Sequence, residues 1–413
     1  MDKREQGHRP RGLPVFPSER AGMRFVGIDI GAERHLVAWV DEQGTILQRP
    51  TAFREDREGY QQLLAQLGST AETLIVMEAT GHYWQNLFAA LAAEGFAIAL
   101  INPLRTRRFA EADLVRTKTD AIDALGLARF GQQKRPPATE LPDLATRDLR
   151  ELVRLRVRFL QDFGDRTRQL HRAVDLSFPE FTRFVVELDS PRATAVLHAF
   201  PTAAAVRAAS ERQLAAVRGG QRTVGRELAR ALKAAAGTSV GQHHTEVYAR
   251  QVRFFCEDLD SLRRRLAEIE RDIEQLLMKH QVGRLLTTID GIGPQTAARL
   301  VAELGDPAKF RNAGALTAYV GAIPGLRQSG KQSWDRAGLA RCGHAKLRAA
   351  LWMPTLVAVR RNPWLRAYYE RLRARGKLPK VALMAAMRKL LIAIYAVAKH
   401  RRPFVPIITM TAP

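Results

Sequence analysis

Residues 24–30, RFVGIDI, constrain the chain more than any other stretch. They form a short apolar run of β type that ends on one carboxylate, Asp29, and meets Gly31 at once. A charge that closes an apolar strand is costly unless it is used. Two more β-type runs follow, HLVAWVDEQG and TILQRPTAF, with tight turns expected at Gly31 and at Gln43-Gly44. The periodicity then changes. A helix is predicted over 57–67 and a buried-type strand over 73–81 (TLIVMEATG). An amphipathic helix over 82–94 and a strand over 96–102, stopped by Pro103, complete the pattern.

Three meandering strands followed by helix, strand, helix, strand is the order of an RNase H-like α/β fold, a mixed sheet with helices on its faces. This unit is expected over 23–135, closed by Pro136-Pro137. Residues 1–22 are polar and Pro-rich without periodicity, and are expected to be a disordered basic tail.

The remainder reads as helical. A helix is predicted over 146–176, then alanine-rich pieces broken by Pro201, Gly219-Gly220 and Gly237. A second long helix carries Tyr248, Val252, Phe255, Leu259, Leu262, Leu266, Ile269, Ile273 and Leu276 at strict 4-3 spacing, the a/d seam of a coiled coil. Its partner is either the 146–176 helix or another subunit, and the seam favours an oligomer. The expected connector covers 136–282. A mostly α last domain is expected over 283–405, with helices near 345–360, 363–375 and 381–399, and a short tail over 406–413.

Charge narrows the class of partner. Lys and Arg number 65 against 42 acids, a net +23. Between Arg327 and Arg402 there are 19 basic residues and two acids, Asp335 and Glu370. A solvated helix face would mix signs, and this segment does not, so it reads as a nucleic-acid surface. The longest apolar stretch, 381–397, is interrupted by Arg388 and Lys389, so no membrane span is expected. Two distant cysteines, Cys256 and Cys342, exclude a disulfide scaffold or a Cys-based zinc module, and no secretory signal is recognisable. The expected compartment is the cytoplasm.

Four acidic residues are candidates for the chemistry: Asp29, Glu78 in VMEATG, and Asp120 and Asp123 in TKTDAIDALG. Spacing i, i+3 places the last two on one helix face, with Thr119 or Thr117 as its cap. Most carboxylates are merely solvated. Asp29 and Glu78 differ because each interrupts an apolar strand. Clustered carboxylates with hard oxygen donors suit Mg²⁺, and two such ions can clamp the attacking and leaving oxygens of a phosphodiester. Further on, Gly291-Ile-Gly293-Pro between helical stretches reads as a helix-hairpin-helix whose N–H groups can grip phosphate. Ser329 sits in a basic loop with Arg327, Lys331, Arg336 and Arg341, followed by Lys346 and Arg348.

The set GIDIG, MEATGHYW, INP…TKTDAIDA, GIGPQTA, GLRQSG…GHAKLRAALWMP and KVALMAAMRKLL resembles transposases of the insertion-sequence-110 family, DEDD recombinases related to the Piv invertases. The resemblance covers about 23–135 and 283–405, and residues 176–245 match none of its motifs. It implies a RuvC-like domain, a coiled-coil connector and a C-terminal transposase domain. It implies a Mg²⁺-holding tetrad of Asp29, Glu78, Asp120 and Asp123, and a serine nucleophile, matched by Ser329 with Ser333 as the alternative. It further implies a tetramer, a structured non-coding guide RNA, element-end and target DNA as substrates, and a bacterial nucleoid setting. Two readings compete with covalent serine recombination. One is a RuvC-like nuclease that uses metal-activated water on branched DNA. The other is a scaffold without catalysis, which has no use for an acidic cluster.

Overall fold

The computed structural model describes residues 22–112, 119–323 and 343–406, together with the backbone of 328–329 and 332–333. The expected disordered tail lies almost wholly outside them. The chain divides into two compact units, residues 1–141 and 142–413.

The first unit is built on five strands: β1 (Arg24–Asp29), β2 (Arg34–Val40), β3 (Ile46–Arg54), β4 (Thr73–Glu78) and β5 (Ala97–Ile101). Their order in the sheet is β3-β2-β1-β4-β5. β1, β2 and β3 pair antiparallel, and β1, β4 and β5 pair parallel. The antiparallel turns are short: Gly44 takes φ +83°, and Asp41 Oδ1 accepts from the Gln43 and Thr45 amides. Parallel pairing needs crossovers, and these are helices α1 (Arg57–Leu67) and α2 (Trp84–Ala93). Edge strand β3 tolerates Pro50, which has no ladder donor to give.

The two faces of the sheet have separate cores. On one, Val26, Ile28, Ile75 and Met77 pack with Leu63 of α1 and Leu87 of α2. On the other, Phe25, Leu74, Val76 and Ala99 pack with Leu127 and Ala128 of α4 (Asp120–Lys134). Between β5 and α4 lies α3 (Pro103–Ala112), where Asn102 Oδ1 accepts from the Leu104 amide.

In the second unit two 34-residue helices, α5 (Leu144–Ser177) and α10 (Glu246–Lys279), run antiparallel. Ion pairs Arg156–Glu270 (2.6 Å) and Arg166–Asp258 (2.9 Å) set the direction. The α10 seam is therefore filled by α5 of the same chain, and it supplies no argument for a second subunit. Its buried residues are those expected in the middle, but Ala249, Cys256 and Leu277 take the places expected for Tyr248, Phe255 and Leu276.

At one end of the hairpin, Leu170 and Val174 of α5 and Val252 and Leu259 of α10 share a core with the segment between them. That segment is α6 (Pro191–Ala199), α7 (Ala203–Ala208), α8 (Glu211–Ala216), the two-stranded β6 (Arg218–Gly219) and β7 (Arg222–Thr223), and α9 (Arg226–Gly237). The alanine-rich stretch thus packs around the hairpin tip and shares one core with it. At the other end, Leu149, Val153, Ile273 and Leu277 join a core with α11 (Gln281–Leu286), α12 (Pro294–Leu304) and α13 (Ala313–Val320). The same core takes in α14 (Ala345–Ala350), α15 (Trp352–Arg361), α16 (Pro363–Ala374) and α17 (Pro379–His400). The boundary expected at 282/283 falls inside this core, because the hairpin base is one of its walls.

Two helices depart from expectation. The helix predicted over 345–360 breaks at Leu351, where Pro354 removes one amide and its ring crowds the carbonyl four residues back. Helix α17 is, contrary to the sequence reading, long and apolar enough by length and composition to cross a membrane. Its Leu383, Met387, Leu390 and Ile394 are instead buried in the helical core.

Candidate active site and nucleic-acid surface

The β1–β4 register runs from Arg24↔Thr73 to Ile28↔Met77. One step further sets Asp29 beside Glu78 at the ends of adjacent strands, whose spacing is about 4.8 Å. Side chains alternate along a strand, so Phe25, Gly27 and Asp29, like Leu74, Val76 and Glu78, project to the face that α4 covers.

Helix α4 lies almost on the backbone of β1. A Cβ at Gly27 would stand 2.1 Å from the Ala124 carbonyl oxygen and 2.3 Å from the Ala128 nitrogen. Further along the helix, a Cβ at Gly131 would stand 2.7 Å from Val76 Cγ2 and 3.5 Å from Phe25 Cδ1. The helix therefore runs antiparallel to β1, and its first turn, with Asp120 and Asp123, points toward the Asp29 end. Thr119 caps that turn, its hydroxyl accepting from the Ile122 amide at 3.3 Å. Thr117, the other expected cap, is outside the described residues. Acidic residues in a first helical turn also complement the helix dipole, which is reason enough for their presence without any ligand.

Glu78 is held from two sides. The Thr106 hydroxyl, on α3, donates to Oε1, and the Thr80 hydroxyl donates to Oε2 at 3.2 Å. Thr106 is buried (8% exposed). Sequence reasoning passed over it. The available signal was the Asn102-Pro103 helix start, which brings α3 back across the end of β4.

The donor set suits a hard divalent cation, being all carboxylate and hydroxyl oxygen. Among the described residues no group of three or more His, Cys, Asp or Glu side chains is placed to hold a metal ion, so Asp29, Glu78, Asp120 and Asp123 are not drawn together as one ligand cluster. Mg²⁺ does not require one, since it keeps several waters and takes one or two carboxylates. The in-register pair Asp29 and Glu78 fits that demand.

In the second unit the Gly-Ile-Gly-Pro turn joins α11 to α12. Gly291 takes φ +100°, and a Cβ there would stand 2.6 Å from Ala358 Cβ, so close packing on α15 accounts for this glycine. Gly293 precedes α12, is exposed and has open space around it. Gln295 Nε2 donates to the Glu270 carbonyl at 3.2 Å, docking the turn on α10.

Ser329 belongs to a short antiparallel ladder, β8 (Gln328–Ser329) with β9 (Gln332–Ser333). Arg327, Lys331, Arg336 and Arg341 are outside the described residues. The segment that carries the serine has tied ends. The His344 amide donates to the Tyr319 carbonyl at 2.7 Å, and Gly343 packs on Gly321. Arg348 donates to the Val320 carbonyl at 3.0 Å, which commits it to this closure, while Lys346 is exposed.

The excess positive charge spreads over α15–α17 and their turns, where Arg360, Arg361, Arg366, Arg371, Arg373, Arg375, Lys377, Lys380 and Arg388 are exposed. Aromatic rings lie among them. Lys389 Nζ stands 4.6 Å from the centre of the Trp364 ring and 4.4 Å from that of Tyr368, a double cation–π contact. Burial there, and then the nearby Arg371, push the Lys389 ammonium below the usual lysine range.

Comparison with known proteins bears on both units. A model for DEDD transposases of the IS110 type matches residues 26–179. A second, described as transposase of the IS116/IS110/IS902 family, matches residues 283–370. The pilin gene-inverting protein of Moraxella bovis is 25% identical over 386 residues, 92% of this chain and 97% of that protein. The IS110 43.6 kDa protein of Streptomyces coelicolor is 26% identical over 401 residues, 93% and 96% of the two chains. The mini-circle putative transposase for IS117 from the same organism is 28% identical over 405 residues, 92% and 95%.

Proposed function

The chain belongs to the IS110 family of transposases, and from that premise we propose that it cuts and rejoins DNA through an acidic tetrad in the first unit and a serine nucleophile in the second. What supports the proposal is the β1–β4 register, which ends at Ile28↔Met77 and so leaves Asp29 and Glu78 as the next residues of adjacent strands, with the acidic first turn of α4 directed to the same end.

In this reading the first unit is RNase H/RuvC-like, which the sheet order β3-β2-β1-β4-β5 supports. Asp29, Glu78, Asp120 and Asp123 would hold Mg²⁺, which when bound neutralises phosphate charge and polarises the phosphodiester. The Ser329 hydroxyl attacks phosphorus. A Ser Oγ–P bond forms, one P–O bond of the DNA backbone breaks, and the serine proton passes to the released sugar oxygen. The bond number is unchanged, so the phosphoserine link can be resolved by a second DNA hydroxyl without any energy source. Gly293 at the start of α12 and the exposed cations of α14–α17 hold phosphates without reading sequence. A homotetramer, in which one subunit's tetrad meets another's serine, and a structured guide RNA in the bacterial cytoplasm complete the proposal. Inversion, named for the Moraxella relative, is one outcome of such an exchange.

The test is direct. Purified protein is incubated with labelled element-end DNA, the flanking transcript and Mg²⁺, and denatured samples are examined for a protein–DNA adduct. An adduct is expected in the wild type, none in Ser329→Ala, and neither adduct nor cleavage in Asp29→Ala. Nicked DNA without an adduct, at an equal rate in Ser329→Ala, would replace the covalent reading with a metal-dependent nuclease.

A further inference from the structure

We propose that Thr106 is a positioning residue of the acidic site, and that its hydroxyl fixes the Glu78 carboxylate for the divalent cation. This inference rests on the tetrad reading above and assigns a role to a residue outside the tetrad.

Three observations carry it. Thr106 is buried, yet it is polar, and its hydroxyl lies against Glu78 Oε1. The same hydroxyl is 2.9 Å from the Pro103 carbonyl of its own helix turn. A hydroxyl has one proton, and an ionised carboxylate is the stronger acceptor, so the proton goes to Glu78 and the carbonyl contact is secondary. Third, Glu78 is the last residue of β4, its backbone paired with Ile101 of β5 while its side chain is only half-buried. Among the described residues, the exposed Thr80 is the other side chain that donates to it. With Thr106, Oε1 is held from beneath α3 while each oxygen keeps a further lone pair for a cation. Partners of this kind cost about tenfold to hundredfold in metal affinity when removed.

The experiment measures Mn²⁺ binding to the full-length protein by electron paramagnetic resonance, with Mn²⁺ as the probe for the Mg²⁺ site. Thr106→Val removes the hydroxyl at nearly constant shape, and Thr106→Ala is a second hydroxyl-free variant should valine not fit under α3. Thr106→Ser keeps the donor, and Glu78→Gln reports on the ligand itself. The expected result is Mn²⁺ affinity about tenfold or more weaker in the Val and Ala variants, restored in Ser, with unchanged circular dichroism throughout. Wild-type affinity in folded Val and Ala variants, with Glu78→Gln weakened, overturns the role of Thr106 alone. Loss in the Ser variant equal to that in Val overturns the hydroxyl as the cause. Wild-type affinity in Glu78→Gln overturns this inference together with the tetrad on which it rests.

Discussion

Gly27 is the residue on which the approach of α4 to β1 depends. Its missing side chain lets α4 approach β1 until helix backbone touches strand backbone. Nothing in RFVGIDI marks this glycine as different from a weak point in a strand, and only the packing of α4 identifies its use. A Gly27→Ala substitution puts a methyl 2.1 Å from a carbonyl oxygen, and the obstacle is backbone rather than a flexible tip. Overpacking of this kind costs about 1–3 kcal/mol, and here the upper end is expected. Urea denaturation measures it, and an unchanged midpoint would mean that α4 does not rest on β1 as described. The glycines of the Gly-Ile-Gly-Pro turn show the opposite lesson. Their spacing suggested phosphate binding for both, yet Gly291 is accounted for by contact with Ala358, leaving Gly293 as the one open to solvent.

At the scale of elements, α10 was the most legible part of the chain, because nine apolar residues at 4-3 spacing admit no other structure. What the spacing could not supply was the partner and the last few degrees of phase. Helix α5 is the partner, and its packing buries Leu277 fully and leaves Leu276 half-buried. Leu277→Ala is therefore expected to cost about 2–5 kcal/mol, the range for deleting a buried leucine, and Leu276→Ala clearly less. Thermal unfolding of the two variants decides it. Equal losses would return the helix to strict heptad phase and reopen the seam to another subunit. The strands of the first unit were read to within a few residues for a similar reason: period-2 and buried-type runs were bounded by Gly and Pro. The alanine-rich segment resisted because alanine is apolar and small enough for either a core or a surface, and its helices are short.

For the whole molecule, charge is the property that sequence and structure state in the same terms. The surplus of the C-terminal segment survives folding as exposed cations on α15–α17, with few acids to neutralise them. Binding to element-end DNA is expected to weaken steeply with salt, the logarithmic slope being about −0.9 per phosphate neutralised. Changing Arg366, Arg371 and Arg373 together to Gln is expected to flatten that slope by about 1 for each phosphate no longer neutralised. A variant with the wild-type slope would show that these arginines face bulk solvent in the complex.

Sequence alone determined most element types outside the alanine-rich segment, the position of the basic surface and which carboxylates interrupt apolar runs. Each of these is written locally, in periodicity, composition and the interruption of apolar runs. Tertiary structure alone decided that β1 and β4 pair up to Ile28 and Met77, next to Asp29 and Glu78, that Gly27 admits α4, and that Thr106 reaches Glu78 from a helix 28 residues downstream. It also decided that α5 fills the α10 seam. These are meetings between segments far apart in the chain, set by how strands pair and how closely backbones pack, and local pattern carries no record of them.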